Sequence, residues 1–247
     1  SELLQLNNVT KSFGAVEALV NVSFSVNSGE VVALLGDNGA GKSTLIKILS
    51  GVHKHDKGKI RWQGNDIVIK SPAHARQIGF SVVYQDLAVV PLISIYRNFF
   101  LGKEELICKK ILGVSFIRNN YAKNIARNAL KQLGIEIENV ESNVGILSGG
   151  ERQSISIARA VYFQSKLLIL DEPTAALSLK ETAKVLSYVQ EAKKSNVGVI
   201  MITHNISHAW DSADRFVVLY RGEVASILKK EETSVKEIEN LINTGKK

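Results

Sequence analysis

The sequence predicts an α/β fold: a mostly parallel core sheet covered by helices, an antiparallel β subdomain on the N-terminal side and an α-helical subdomain inserted in the middle. Three observations point there. Residues 3–35 carry short β-rich runs separated by turn signals, residues 72–133 turn helical and basic, and after Leu147 helix-length and strand-length stretches alternate. Such alternation implies parallel strands joined by helical crossovers. The 247 residues suit one such domain, and a 45% apolar content suits a packed core.

The elements follow in chain order. Residues 3–9, 22–26 and 31–35 are rich in Val, Leu and Phe and read as strands, with turns at Lys11-Ser12 and Asn27-Ser28-Gly29. A helix is predicted over residues 44–50, stopping at Gly51, and a hairpin over residues 59–62 and 66–69 around Gly64-Asn65. In residues 122–133, Ile125, Ala126, Ala129, Leu130 and Leu133 fall on one helical face. Helices over 151–164 and 179–194 then alternate with strands over 167–170 and 197–202. A hairpin follows over 216–220 and 224–228, and Ser234 with Glu237 forms a capping-box pattern before a last helix. The predicted division is a nucleotide-binding core with its β subdomain (about 1–85 and 146–230), a helical insert (about 86–145) and a C-terminal tail (about 231–247).

Composition sets the outer limits. A formal net charge of +7 favours anionic partners without choosing among nucleotide, nucleic acid and lipid headgroups. Cys108 is the only cysteine, so an intrachain disulfide is excluded, in line with a reducing compartment. No charged-then-apolar leader is visible, and no apolar run approaches the roughly 18–20 residues that span a bilayer. A role at a membrane would need another protein to span it.

Gly36-Asp37-Asn38-Gly39-Ala40-Gly41-Lys42-Ser43 satisfies the phosphate-loop pattern, with a buried strand before it and a helix beginning near Thr44. Glycines let successive amides turn toward phosphate oxygens, and the helix N-terminus adds a favourable dipole. Lys42 is the candidate for the β and γ phosphates of ATP, and the Ser43 hydroxyl for Mg²⁺. A second apolar strand ends in Asp171-Glu172. Asp171 suits the metal, directly or through water, and Glu172 suits the attacking water as general base or water-positioner.

The next motif carries a family resemblance. Leu147-Ser148-Gly149-Gly150-Glu151 resembles the LSGGQ signature of the ABC ATPases, with Glu151 where glutamine is commoner. Ser148, Gly149 and Gly150 offer donors at another helix N-terminus, a second phosphate-binding geometry in a chain that already has one. The resemblance implies a P-loop NTPase of ABC type that binds ATP and Mg²⁺ as a head-to-tail dimer, each signature closing over the partner's ATP. It implies further roles: adenine stacking for Phe13, metal contact and partner sensing for Gln85, and γ-phosphate contact for His204. Ala175-Ala176-Leu177-Ser178 resembles the D-loop, but many relatives carry aspartate where Ser178 stands, so its cross-dimer role stays open.

The chain has one ATPase unit, no sustained heptads between Ser43 and Leu147, and no fused membrane helices, so it looks most like a separate importer subunit. Val83-Tyr84-Gln85-Asp86-Leu87, Pro91 and the run Asn98-Phe99-Phe100-Leu101-Gly102-Lys103-Glu104 are similar to the ATPases of monosaccharide importers of the ribose, xylose and fructose type. Those relatives imply transmembrane permease subunits as partners, a solute-binding protein outside, and a place at the cytoplasmic face of the cell membrane. Importers or exporters of other substrates stay open. The rival from another class is a soluble ABC ATPase acting on a nucleic acid complex, for which no basic stripe interleaved with aromatics is present.

Overall fold

The computed structural model describes residues 1–85, 89–111 and 114–246. Asp86 and Leu87, part of the pattern after Gln85, and the expected start of the insert lie outside them. The chain opens with a long hairpin, β1 (Glu2–Phe13) and β2 (Val16–Asn27), and then enters the core as β3 (Val31–Leu35). Lys11-Ser12 is not the turn: both lie in β1, paired with Leu19 and Glu17, and the chain reverses at Gly14-Ala15. Polar residues are tolerated there because this end of the hairpin is solvated, and the left-handed turn falls on Gly14.

Helix α1 (Lys42–Leu49) starts two residues earlier than its apolar pattern suggests, at the end of the glycine-rich loop. Next come β4 (Lys57–Trp62), β5 (Asn65–Ile67), α2 (Pro72–Gln77) and β6 (Phe80–Val83). The insert is less helical than predicted. Between α3 (Ile95–Phe99) and α4 (Asn119–Gln132) it holds an antiparallel hairpin, β7 (Cys108–Ile111) and β8 (Val114–Ile117). Isoleucine, valine and phenylalanine over 107–117 favour extended backbone. Helix α5 (Gly149–Tyr162) is followed by β9 (Leu167–Asp171), α6 (Leu179–Lys194), β10 (Gly198–Ile202) and α7 (Ile206–Ser212). The chain finishes with the hairpin β11 (Arg215–Tyr220) and β12 (Glu223–Lys229), then α8 (Val235–Thr244).

Two main sheets result. The central one has the order β12-β11-β3-β10-β9-β6, parallel except for β12, and the N-terminal one is antiparallel in the order β2-β1-β4-β5. The central strands are buried on both faces, which explains their unbroken apolar sequences. Val31, Ala33 and Leu35 of β3 face one core with α5 and α6, while Val32 and Leu34 face the other with α1 and the antiparallel sheet. Leu168 and Leu170 of β9 divide from Leu167 and Ile169 in the same way.

Helix α6 shows how local signals and packing agree. Ser178 and Glu181 form a capping box at its start, and Lys193 and Lys194 complement the dipole at its end. Thr182, Val185, Tyr188, Val189 and Ala192 make one buried stripe against the sheet. Each large apolar side chain so buried contributes roughly 1.5–3 kcal/mol. At the base of the sheet, Arg215 Nε donates to Glu30 Oε1 at 2.8 Å and Lys193 Nζ to Asp214 Oδ1 at 2.6 Å. Those ion pairs hold the strand starts; the functional groups gather at the opposite, carboxyl ends.

Candidate active site

Strands β3, β10 and β9 are adjacent, with Ile202 paired to Leu34 on one side and to Asp171 on the other. That register places the loop after β3, the acids at the end of β9 and the segment after β10 side by side. Binding at the carboxyl ends of parallel strands is the rule for open α/β sheets.

The loop residues Gly36, Asp37, Asn38, Gly39, Ala40 and Gly41 lead from β3 into α1. Gly41 has φ +105°, and a Cβ there would lie 2.6 Å from Leu19 Cδ2 and 2.7 Å from the Ala18 carbonyl, so no other residue fits without displacement. Lys42 Nζ donates to the carbonyls of Gly36 at 2.7 Å and Asp37 at 2.9 Å, bending its side chain back over the loop. Burial depresses the Lys42 ammonium, against the opposing charges of Glu172, Asp37 and Asp171. Burial likewise raises the Asp171 carboxyl, with Glu172 adding to it and Lys42 opposing it. Ser43 is exposed and Thr44 half-buried at the first turn of α1.

Glu172 has φ +48°, a left-handed backbone for a non-glycine residue, and its amide donates to the Ile202 carbonyl at 2.8 Å. Strain of that kind gathers at functional sites. Glu172 Oε1 accepts from the His204 amide at 3.0 Å and lies 2.8 Å from His204 Nδ1. Glu172 Oε2 is buried with no hydrogen-bond partner among the described residues. The carboxylate is therefore oriented by one oxygen and has a lone-pair-bearing second oxygen to offer. His204 itself is 71% exposed, although its ring contacts Glu172.

Gln85 is exposed two positions beyond Val83, which pairs with Leu170, so it lies just past the same sheet end as Asp171. Phe13 is exposed at the end of β1, its ring edge-on to His53 at 5.2 Å. The loop after α1 secures that strand end: Asp56 accepts from the Ser12 amide at 2.7 Å and Lys11 Nζ at 2.8 Å.

The signature is built elsewhere. Ser148 caps α5 in a capping box with Glu151: the Glu151 amide donates to Ser148 Oγ at 3.3 Å and the Ser148 amide to Glu151 Oε2 at 2.8 Å. Glutamate in place of glutamine therefore has a local task. The close neighbours of Gly149 and Gly150 are Leu177 and Glu181 rather than the phosphate loop. Ser178 likewise has a local task, as N-cap of α6. The sequence motifs missed Glu181 and the 2.9 Å contact between Thr174 Oγ1 and His208 Nδ1, both of which join segments distant in the chain.

A family model described as ABC transporter matches residues 19–175, more than half of the chain. The chain belongs to the ABC transporter family. This ABC ATPase is 48% identical over 244 residues to the xylose/arabinose import ATP-binding protein XylG of Sulfolobus acidocaldarius, covering 99% of the chain and 95% of the relative. It is 42% identical over 216 residues to the fructose import ATP-binding protein FrcA of Rhizobium meliloti, covering 86% and 83%. Among solved structures, the ADP conformation of an ABC transporter cassette matches with a TM-score of 0.81 at 27% identity, over 99% of this chain and 96% of that one. A dimeric bacterial ABC transporter cassette matches with a TM-score of 0.76 at 26% identity, over 92% and 99%. No described helix is long and apolar enough to cross a membrane. The fold is that of an ABC ATPase cassette, and the chain is an ATPase.

Proposed function

We propose that this ATPase energises sugar import, most simply of a monosaccharide, by driving membrane permease subunits from the cytoplasmic face as a head-to-tail dimer. The observation that carries the dimer is the separation of the two phosphate-binding geometries. The phosphate loop, Asp171, Glu172 and His204 share one sheet end, while Ser148 and its helix N-terminus pack on Leu177 and Glu181. A second copy brings a signature to each phosphate loop. The import role and the sugar are supported by the resemblance to the xylose/arabinose and fructose import subunits. An extracytoplasmic solute-binding protein then supplies the sugar to the permease.

The chemistry follows from the residues. The loop amides and Lys42 hold the β and γ phosphates of ATP, Lys42 exchanging its two carbonyl partners for phosphate oxygens. Phe13 stacks on the adenine, and Ser43, Gln85 and Asp171 are the residues that would hold Mg²⁺, whose charge neutralises the phosphates. The oxygen-only donor set and the carboxylate at the end of β9 suit that ion. Glu172, steadied by His204, directs its second oxygen to a water. Glu172 draws off a proton as the water oxygen bonds to the γ phosphorus and the β–γ bridging bond breaks, leaving ADP and inorganic phosphate. Ser148 of the partner subunit's signature stabilises the γ-phosphate charge.

Copurification of the tagged protein from native membranes in mild detergent tests this. A polytopic permease among the copurified proteins, with sugar-dependent stimulation of ATP hydrolysis, supports the import reading. Ribosomal or nucleic acid partners without a membrane protein would overturn it.

A further inference from the structure

The signature, which the sandwich would present to the partner's nucleotide, and residues 175–178, which resemble the D-loop, meet within one subunit around a single carboxylate. Glu181 lies in the first turn of α6, and its Oε2 accepts from the Ser178 amide at 3.1 Å and the Ser178 hydroxyl at 2.8 Å. The rest of the side chain lies over Gly150. A Cβ on Gly150 would be 2.9 Å from Glu181 Cβ, 3.1 Å from Cγ and 3.4 Å from Oε1. Leu177 approaches the preceding residue as closely, 3.0 Å from a Cβ on Gly149. The Ser148 hydroxyl and the Gly150 amide also face the carboxylate, and with the Ser178 donors they hold it down at about 2. It is thus charged at neutral pH, when its hydrogen bonds from the Ser178 amide and hydroxyl are charge-assisted.

Capping α6 does not account for this arrangement. The box is complete with Ser178 and Glu181 alone, whereas Gly150 belongs to α5, which caps itself with Ser148 and Glu151. The glycine at position 150 is needed for the approach of Glu181, beyond any need of a phosphate. We propose that Glu181 is a positioning residue that locks the signature loop and residues 175–178 into one body, so that both reach the partner's nucleotide in register. This rests on the sandwich reading above. It also gives Ser178, where relatives often carry aspartate, a defined part: its hydroxyl and amide seat the carboxylate that seats the signature.

The test uses the full chain with Glu181→Ala and Glu181→Gln, each alone and with Glu172→Gln. Four quantities are read: ATP affinity at concentrations where the chain is monomeric, Mg·ATP-driven dimerisation, turnover, and amide hydrogen exchange. Glu181→Ala is expected to weaken dimerisation about tenfold, the scale of one charge-assisted hydrogen bond, and to lower kcat. Monomer ATP affinity stays within about twofold, since the phosphate loop is untouched. Exchange at residues 148–152 accelerates while that at residues 36–43 does not. Glu181→Gln retains one acceptor without the charge and falls between, with dimerisation weakened about threefold. Parent-like dimerisation, turnover and exchange, with only a lowered Tm, would reduce Glu181 to a helix cap and overturn the proposal. Should Glu181→Ala fail to fold, unchanged dimerisation and exchange in Glu181→Gln overturn it equally. Failure of the Glu172→Gln parent itself to dimerise with Mg·ATP is the separate result that removes the sandwich reading and the proposal together.

Discussion

Under the proposed mechanism, replacing Glu172 by glutamine isolates the proton-accepting step from the other contacts of the site. The side chain is 14% exposed, and its two oxygens have different surroundings. Oε1 takes the His204 amide and faces Nδ1, so the glutamine carbonyl can occupy that position and keep the amide contact. The amide nitrogen then falls where the unpartnered Oε2 was, a donor in place of the acceptor assigned to the attacking water. The perturbation thus preserves shape and one hydrogen bond while abolishing basicity. General-base assistance is worth roughly 10²–10⁴ in rate, so kcat should fall by that factor, equivalent to about 3–5 kcal/mol in the barrier. The charge change has a second effect with a definite sign. Glu172 raises both the Lys42 ammonium and the Asp171 carboxyl, so its neutralisation lowers both, leaving Asp171 more firmly ionised. ATP binding should survive, and the unhydrolysed nucleotide should hold the dimer together. Phosphate release at saturating Mg·ATP measures the rate, and light scattering measures the dimer. Turnover within about threefold of the parent would refute Glu172 as the base, because so small a loss lies well below the general-base range of roughly 10²–10⁴.

Three other outcomes are expected. Lys42→Ala should abolish tight ATP binding, read by equilibrium titration, since it removes the one ammonium that the phosphate loop holds over itself. Gly41→Ala should cost about 2–4 kcal/mol in urea unfolding, from a left-handed backbone and a Cβ 2.6 Å from Leu19 Cδ2; a loss below about 1 kcal/mol would contradict the packing. The Glu181 carboxyl is depressed from 4.5 to about 2, so its stabilising contribution is complete above its unfolded value and fades as pH falls toward 2. Glu181→Gln should therefore flatten the dependence of Tm on pH between about 5 and 3, and an unchanged slope would count against those hydrogen bonds.

What could be read in the sequence was whatever is local. The phosphate loop occupies eight consecutive residues, and α6 is bounded by Ser178 and Asn196, so its limits, Leu179–Lys194, agree with the pattern. Parallel strands were legible because burial on both faces leaves uninterrupted apolar runs such as Leu167–Asp171. The β7–β8 hairpin was not, because it is a separate two-stranded element, and Lys109, Lys110, Ser115, Phe116 and Ile117 are exposed and show no alternation. The turn at Gly14-Ala15 was displaced onto Lys11-Ser12 because polarity signals solvent as readily as reversal. Motif order suggested that Glu172 and His204 cooperate; the bond between them depends on the β9–β10 register, which no spacing reveals. Glu181 was invisible for the same reason, since its significance lies in its contact with Gly150 on another helix.

The ladder that aligns Leu34, Ile202 and Asp171 has a bearing on how such a chain can change over time. The reacting groups take their spacing from backbone hydrogen bonds deep in the sheet, so their alignment is indifferent to most side chains at the periphery. Among the described residues, the insert between β6 and α5 shares none of that ladder and carries its own hairpin and helices. Residues there can be exchanged, lengthened or recharged while the strand ends that carry Asp171 and Glu172 keep their spacing. Tolerance of change and constancy of the strand-end geometry thus occupy different parts of one polypeptide.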